Sequence, residues 1–405
     1  MPWYLLLNMP FDCTSQNRDN QGMIIVIADD FTGAAEIGGI GLRYGYEVNL
    51  HTAFSDDLKG DMVIFATNMR AKDESLAMGI LEDFLLKVKD LPNSMIFLKL
   101  DSVFRGHVKI TLQTALKLLE KEQVIFIPAN PSLNRTIQKG IYYYHQKPLL
   151  DSGFFSKSME ENRTSHVYDL IEKKEHDKIA VASSNESVSQ GIVIGNTSTV
   201  KEVDDWANTS NNENLLAGGA NFFEALIKRI GIKNKNDRHF SKFLGEKRLY
   251  ICGSAHPNSK HAIQEAARQG AIIHNMPERI FNHLETEKQM QTWTDKIISD
   301  IKEHSSVIAA VDRLEFREKD ELPDLIEKAF ARLVCMVLEN LKLEELVIEG
   351  GATAFAIMSE INYTKFSPEQ EFAPGVIRMR VEEEKGLFIT VKPGSYQWQN
   401  KIWFS

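Results

Sequence analysis

Short apolar, β-branched runs alternate along the chain with stretches whose apolar residues recur at helical spacing. The runs predict strands near 23–28, 46–51, 61–66, 95–100 and 123–127, and helices near 33–44, 74–89 and 107–121. A mixed region follows, with GIYYYHQKPL at 140–149 and IVIGN at 192–196. Residues 231–247, GIKNKNDRHFSKFLGEK, are polar and lysine-rich and read as a linker. Beyond them the alternation restarts. Strands are expected at 248–254, 271–275, 306–312 and 346–351, helices at 259–269, 285–303, 324–342 and 353–361, and closing strands at 376–381 and 386–391. Such alternation marks α/β layers around parallel sheets. The expected fold class is α/β: two α/β domains, 23–230 and 248–405, with largely parallel sheets facing an interdomain cleft. Residues 1–22 carry a polar tract ahead of Met23 and read as a poorly ordered extension.

Composition narrows the function classes. A hydrophobic content of 43% and a charged content of 25% are those of an ordinary globular protein. The formal net charge of −9 argues against nucleic acid or an anionic membrane as partner. Cys13, Cys252 and Cys335 have no CxxC spacing, which excludes a disulfide framework and a cysteine zinc site and suits a reducing cytoplasm. No apolar run approaches the roughly 18 residues of a membrane span. The N-terminal WYLLL is too short for a signal-peptide core. A cytoplasmic protein acting on small molecules is expected, with homo-oligomerisation left open.

The candidate chemistry sits where strands end. MIIVIADDFTG (23–33) is an apolar run that stops on Asp29 and Asp30 before a small-residue helix. Open α/β sheets bind ligands at the carboxyl ends of their strands. Thr32 is placed to cap that helix and Glu36 to lie in its first turn. KLDSVFRG (99–106) supplies Lys99, Asp101, Ser102 and Arg105, and ATNMR (66–70) supplies Thr67, Asn68 and Arg70. A carboxylate beside a substrate hydroxyl can act as general base, and an arginine can hold a carboxylate through two hydrogen bonds. Each cluster alone reads equally well as a cap, an ion-pair network or a solvated loop. A parallel sheet would bring all three to one rim.

In the second half, ICGSAHPNS (251–259), IEGGAT (348–353) and VKPGSY (391–396) each leave a strand through glycine or serine. Small residues let backbone N–H groups approach phosphate oxygens, and a following helix favours an anion. None is a P-loop of the GxxxxGK[ST] type. Three such turns in one domain point to a nucleotide-phosphate site. Other patterns carry no chemistry. GGIGLRYG (38–45) lies inside the first helix and reads as helix packing, Tyr142, Tyr143 and Tyr144 read as strand residues, and Ile377–Arg380 alternates as a half-buried strand. There is no HExxH and no GxSxG.

These motifs, in this order, resemble the four-carbon acid sugar kinase family from about Met23 to the C-terminus. The matching pieces are IADDFTGAAEIGGIGLRYG, ATNMRA, KLDSVFRGH, IPANPSLNRTIQKGIYYYHQKPL, CGSAHP, EGGATA and KPGSY. The resemblance implies an N-terminal sugar-acid-binding domain and a C-terminal nucleotide-binding domain. It implies transfer of the γ-phosphoryl group of ATP to a hydroxyl of an acid such as threonate or erythronate. By position it implies substrate contacts at Asp30, Arg70, Lys99, Leu100, Asp101 and Ser102. It implies ATP contacts at Ser254, Gly350, Gly351, Ala352, Thr353 and Gly394. The chain departs from the family pattern at His107, His256–Ser259, Ala352 and Lys392–Gln397.

The reading is an ATP-dependent sugar-acid kinase. Arg70 and Arg105 hold the acid, Asp30 or Asp29 accepts the hydroxyl proton, and Lys99 neutralises the transferred group. Mg²⁺ is carried on ATP without a dedicated protein ligand set. The departures leave a second reading, a non-catalytic regulator that binds a sugar acid or a nucleotide.

Overall fold

The computed structural model describes residues 22–91, 94–154, 164–232, 245–254, 256–281, 286–311, 322–394, 396–398 and 402–403. The expected N-terminal extension and most of the expected linker lie outside them. In chain order the N-terminal part forms β1 (Ile24–Ala28), α1 (Phe31–Arg43), β2 (Val48–His51), β3 (Met62–Ala66), α2 (Glu74–Val88), β4 (Met95–Lys99), α3 (Val108–Leu118) and β5 (Gln123–Ile127). It continues through β6 (Arg135–Gln138), β7 (Ile141–Tyr144), β8 (Lys147–Pro148), α4 (Val167–Leu170), β9 (Ile179–Ala182), β10 (Gly191–Gly195), α5 (Val200–Thr209), β11 (Leu215–Gly218) and α6 (Ala220–Ile230). The C-terminal part forms β12 (Arg248–Cys252), α7 (Pro257–Arg268), β13 (Ile273–Asn275), α8 (Glu278–Phe281), α9 (Thr286–His304), β14 (Ser306–Ala310) and α10 (Leu322–Asn340). It closes with β15 (Glu345–Glu349), α11 (Gly351–Glu360), β16 (Lys365–Ala373), β17 (Val376–Val381) and β18 (Phe388–Lys392).

The chain packs as two compact units that are not contiguous in sequence. The first comprises Met1–Asp29, Arg43–Glu47 and Leu58–Asn236, and the second Asp30–Leu42, Val48–Asp57 and Asp237–Ser405, as far as these are described.

In the first unit the strands run β3-β1-β4-β11-β5-β10-β9, all parallel. Every residue of β1 and β3 is buried. Their sequences, IIVIA and MVIFA, are therefore unbroken apolar runs rather than alternating ones. Strand order reverses at β1, which lies between β3 and β4. The carboxyl ends of β1 and β4 thus flank a topological switch point, with Ala28 in register with Lys99. A small antiparallel sheet, β6-β7-β8, is built from the residues after β5.

In the second unit β13-β14-β12-β15-β18 are parallel, and β17, β16 and β2 continue the sheet antiparallel. The N-terminal segment belongs here for two reasons. β2 pairs with β16, and α1 packs on β16 and β17 so closely that a side chain at Gly39 would strike Ile377 and Glu371. The glycines at 38, 39 and 41 are packing residues, as the sequence suggested. Phe31 meets Phe366 edge to face at 5.7 Å.

Two local expectations need correction. α1 starts at Phe31 rather than near 33, so Asp30, not Thr32, caps it, accepting the Gly33 N–H at 2.8 Å. No acid lies in its first turn; Glu36 falls one turn later and accepts a hydrogen bond from the Tyr396 hydroxyl at 3.3 Å. The Ile377–Arg380 strand is more buried than alternation suggested. Arg378 lies in the core, its Nη2 2.9 Å from Glu345 Oε2 and its guanidinium 3.6 Å over the Phe388 ring. Thr390 donates its hydroxyl to the other Glu345 oxygen at 2.7 Å.

That pair yields a stability prediction. Arg378→Met strands a buried carboxylate and should cost about 3–5 kcal/mol. Arg378→Met combined with Glu345→Met should recover most of the loss. Urea unfolding followed by tryptophan fluorescence reads both. A single variant within about 1 kcal/mol of wild type would show that the pair does not anchor this sheet.

Candidate active site

The carboxyl-end rim of the first unit gathers the charged residues that the sequence singled out. Asp29 leaves β1 with its N–H on the Lys99 carbonyl at 3.1 Å, and its own carbonyl accepts the Arg70 N–H at 3.3 Å. Thr67 donates both its N–H, at 3.0 Å, and its hydroxyl, at 2.8 Å, to the Ala28 carbonyl. Asn68, at φ 53°, turns the chain so that Arg70 points back over the rim. Arg70 Nη1 lies 2.9 Å from Asp101 Oδ2 and 4.0 Å from Asp29 Oδ1.

Asp101 is the centre of this cluster. Its Oδ1 accepts the N–H groups of Val103 and Arg105 at 3.0 Å. Its Oδ2 accepts from Arg105 Nε at 3.0 Å and Nη2 at 2.6 Å. Burial pushes its carboxyl up, but the charges of Arg105 and Arg70 and the bonds from Arg105 outweigh that and hold it well below the usual carboxylate range. Gly106, at φ 78°, is required, because a side chain there would meet Arg70 Cγ at 2.8 Å. Leu100 is buried and offers only backbone; its N–H bonds the Gly218 carbonyl at 3.3 Å. Ser102 Oγ accepts from Arg135 Nη1 at 2.8 Å. Lys99 is buried, makes one long contact to the Leu100 carbonyl at 3.5 Å, and has no carboxylate partner among the described residues.

In the second unit, β12, β15 and β18 are neighbours, so their exits lie side by side. A side chain at Gly394 would collide with Ser254 Oγ, and one at Gly253 would come within 3.0 Å of Thr353 Oγ1. Gly350, at φ 105°, makes the turn into α11. A side chain at Gly351 would come within 3.0 Å of Thr32 Oγ1 and 3.3 Å of Asp30 Oδ2. The start of α1, the Gly350–Thr353 turn, Ser254 and Gly394 therefore converge, and the N-termini of α1 and α11 with them. Ala352 is exposed in the first turn of α11. Backbone donors at helix starts, with no side chains in the way, are the chemistry that phosphate needs.

Beneath these loops lies an ion pair that sequence reasoning had not placed. Cys252, Glu349 and Lys392 are in register across the three strands. Lys392 Nζ lies 2.8 Å from Glu349 Oε1, and both side chains are fully buried. Ser259 donates its hydroxyl to Glu349 Oε2. Lys392 also donates to the carbonyls of Pro393 at 2.9 Å and Tyr396 at 2.6 Å. Burial lowers the Lys392 pKa against the pull of Glu349. Burial pushes the Cys252 thiol up, which makes it unreactive. Glu349 thus fixes the last loop. His256 caps α7 through Nδ1, 3.2 Å from the Asn258 N–H, and its N–H bonds Ser254 Oγ at 3.2 Å.

Asp29 and Asp30, adjacent in sequence, join different clusters. Asp29 stands with Arg70 in the first unit. Asp30 caps α1 beside Gly351 in the second, its Oδ2 accepting from Thr32 Oγ1 at 2.8 Å. Arg135, Asn130 and Tyr142 join the first cluster without having been singled out. The one available signal was the polar turn ANPSLNR directly after a buried strand.

Comparison with known proteins matches both halves. A sugar-binding N-terminal domain model covers residues 24–226, and a nucleotide-binding C-terminal domain model covers 249–396. A 3-oxo-tetronate kinase of Haemophilus influenzae is 21% identical over 411 residues, covering 92% of this chain and 97% of the relative. A D-threonate kinase of Salmonella typhimurium is 26% identical over 151 residues, 36% of each chain. Among solved structures, a Salmonella typhimurium LT2 protein superposes with a TM-score of 0.74 at 16% identity, over 95% of this chain and 98% of that one. A Haemophilus influenzae protein superposes with a TM-score of 0.69 at 18% identity, over 93% and 98%. These two likenesses establish the fold. With the sugar-binding and nucleotide-binding domains following one another along nearly its whole described length, the chain belongs to the four-carbon acid sugar kinase family.

Proposed function

We propose that the chain is an ATP-dependent kinase that phosphorylates a hydroxyl of a small acid sugar of the threonate, erythronate or 3-oxo-tetronate class. The observation that carries this reading is Lys99, a buried ammonium at the sheet's switch point with no carboxylate partner among the described residues. A buried cation of that kind calls for an anion. The kinase-named relatives supply the class of anion.

The first unit binds the acid. Arg70, held by Asp101, contacts it directly, and Ser102 orients its hydroxyls. The second unit binds ATP, its phosphates against the backbone of Gly350, Gly351, Ala352 and Thr353 and against Ser254 and Gly394. Asp30 stands beside Gly351 and accepts the proton of the attacked hydroxyl as charge develops. Lys99 neutralises the transferred group. Mg²⁺ suits this donor set only as a passenger of the nucleotide. Glu349 is tied to Lys392 and Ser259, so the ion would be held by ATP phosphates, water and Asp30, and would neutralise phosphate charge.

Purified protein with ATP–Mg²⁺ and a panel of four-carbon acids tests the reading. ADP release that depends on the added acid is expected. Binding of acid or nucleotide without any turnover would replace the kinase by a regulatory binding protein.

Two sets of variants assign the roles. Arg70→Ala should raise the KM for the acid by roughly 10- to 100-fold, the worth of a charge-assisted hydrogen bond, with the KM for ATP near normal. A loss confined to ATP would overturn its place in the acid site. Asp30→Asn should lower kcat by about 10²–10⁴, the usual contribution of a general base. Asp29→Asn should act chiefly on the KM for the acid, because Asp29 stands beside Arg70. An inactive, folded Asp29→Asn alongside an active Asp30→Asn would exchange the two assignments.

A further inference from the structure

The first unit holds a second cluster at the same rim that the roles above leave unused. Arg135 begins β6, two residues beyond the short turn of Pro131–Leu133 that follows β5. β4, β11 and β5 are parallel neighbours, so the exit of β5 opens on the same edge as Lys99–Ser102. Asn130 and Arg135 exchange both backbone hydrogen bonds, at 2.8 and 3.0 Å, which fixes where the arginine leaves the chain. Arg135 pairs with Tyr144 across β6 and β7, and Ile137 pairs with Tyr142. Residues two apart on paired strands share a face, so Arg135 and Tyr142 stand on the same side of the small sheet.

The guanidinium is held in place but not neutralised. Nη1 donates to Ser102 Oγ at 2.8 Å, and Cζ lies 5.2 Å from the centre of the Phe154 ring. Nε is buried and has no hydrogen-bond partner among the described residues. No carboxylate among the described residues pairs with Arg135, whereas Arg70 and Arg105 share Asp101. Around it, the fully buried Tyr142 hydroxyl and the Asn130 side-chain oxygen are also without a well-formed partner. The Tyr142 hydroxyl lies close to Ser102 and feels the charges of Arg135, Asp101 and Arg105; burial pushes its pKa well above that of a free tyrosine, so it stays a neutral donor. Buried polar groups are nearly always bonded, and a half-buried arginine is nearly always matched by an anion. Here two buried polar groups, the Tyr142 hydroxyl and the Asn130 oxygen, stand beside a positive charge that has no carboxylate partner among the described residues.

We propose that Arg135, with the Tyr142 hydroxyl, takes the carboxylate of the acid, while Ser102 and Asn130 bond its neighbouring hydroxyl. This rests on the sugar-acid reading above and assigns the acid's charged end within it. Arg70 then serves the hydroxylated chain and the orientation of Asp101, because half of its charge is already answered.

The test compares an acid with its neutral counterpart. Binding of threonate and erythronate, and of their primary amides, is measured by calorimetry on the wild type, Arg135→Met and Arg135→Lys, with thermal unfolding recorded for each protein. Wild type should bind the acid more tightly than the amide. Arg135→Met should lose about 10- to 100-fold in acid affinity, leave amide affinity nearly unchanged, and so lose the preference. Arg135→Lys keeps the charge but not the two-pronged geometry and should recover part of it. A merely structural role for Arg135 would weaken acid and amide alike. That result, or a full preference retained in either variant, overturns the proposal and leaves the sugar-acid reading standing. A wild-type protein that binds neither these acids nor a 3-oxo-tetronate overturns both.

Discussion

One buried carboxylate organises the sugar-binding half. Asp101 gathers two arginines and two backbone N–H groups onto its two oxygens. Those bonds close the loop that follows β4 and aim Arg70 from a different strand. They also force a glycine at 106, where nothing larger fits against the Arg70 stem. Arg105 is nearly half exposed, so its contribution is screened by water, and Arg70, less exposed, carries more of the pairing. The ordering of charge follows from this arrangement. With Asp29 and Asp101 set against Arg70 and Arg105, the positive excess of the cluster comes from Lys99 and Arg135. An anionic ligand completes such a site instead of competing with it.

The nucleotide-binding half solves a related problem by the opposite means. The turns Gly253–Ser254, Gly350–Thr353 and Pro393–Gly394 carry no lysine or arginine. The charge is sunk below them, where Glu349 and Lys392 neutralise each other out of reach of solvent. A buried pair of this kind adds little net stability, but removing one partner is costly, so it fixes geometry. Lys392 holds the carbonyls on either side of the last turn, and Glu349 holds Ser259 in α7. Three loops of small residues, which would otherwise be the softest part of the unit, are thereby pinned from underneath. Backbone N–H groups held this rigidly bind phosphate without the reorganisation that mobile lysines would need.

Much of this was legible in the sequence, and the reasons differ by element. The buried parallel strands were plain because IIVIA, MVIFA and SVIAA are uninterrupted apolar runs bounded by acids, glycine or polar turns. The strand ends gave away Asp29, Arg70, Lys99 and the glycine turns for the same reason: a parallel sheet delivers polar exits to one edge. What stayed hidden depended on partners distant in sequence. β16, KFSPEQEFA, contains a proline and five polar residues and becomes a strand only because β2 flanks it on one side and β17, across two irregular steps, on the other. The assignment of α1 and β2 to the second unit follows from that pairing and could not be read locally. α5 was not among the expected helices, although its Thr199–Glu202 capping box is a local feature of the sequence. Arg135 was hidden because an arginine after a turn is ordinarily a surface residue. That no carboxylate among the described residues pairs with it is a property of the folded chain alone.

The adjacent acids show how one peptide bond separates two kinds of chemistry. Asp29 still has the backbone of β1, its N–H on Lys99 and its carbonyl on Arg70, so its side chain belongs to the cluster of Arg70 and Asp101. At Asp30 the chain has already begun to coil. Its carbonyl accepts the Ala34 N–H at 3.1 Å, and its carboxylate accepts the Gly33 N–H and the Thr32 hydroxyl as a helix cap. The change from extended to helical backbone between them sends the two side chains to different partners. A helix start favours negative charge, so the cap keeps a carboxylate beside the Gly350–Thr353 turn at little energetic cost. Ordinary capping thus fixes the position of the Asp30 carboxylate. The sequence Asp-Asp-Phe-Thr-Gly supplies that cap, because the first acid ends a strand and the second starts a helix.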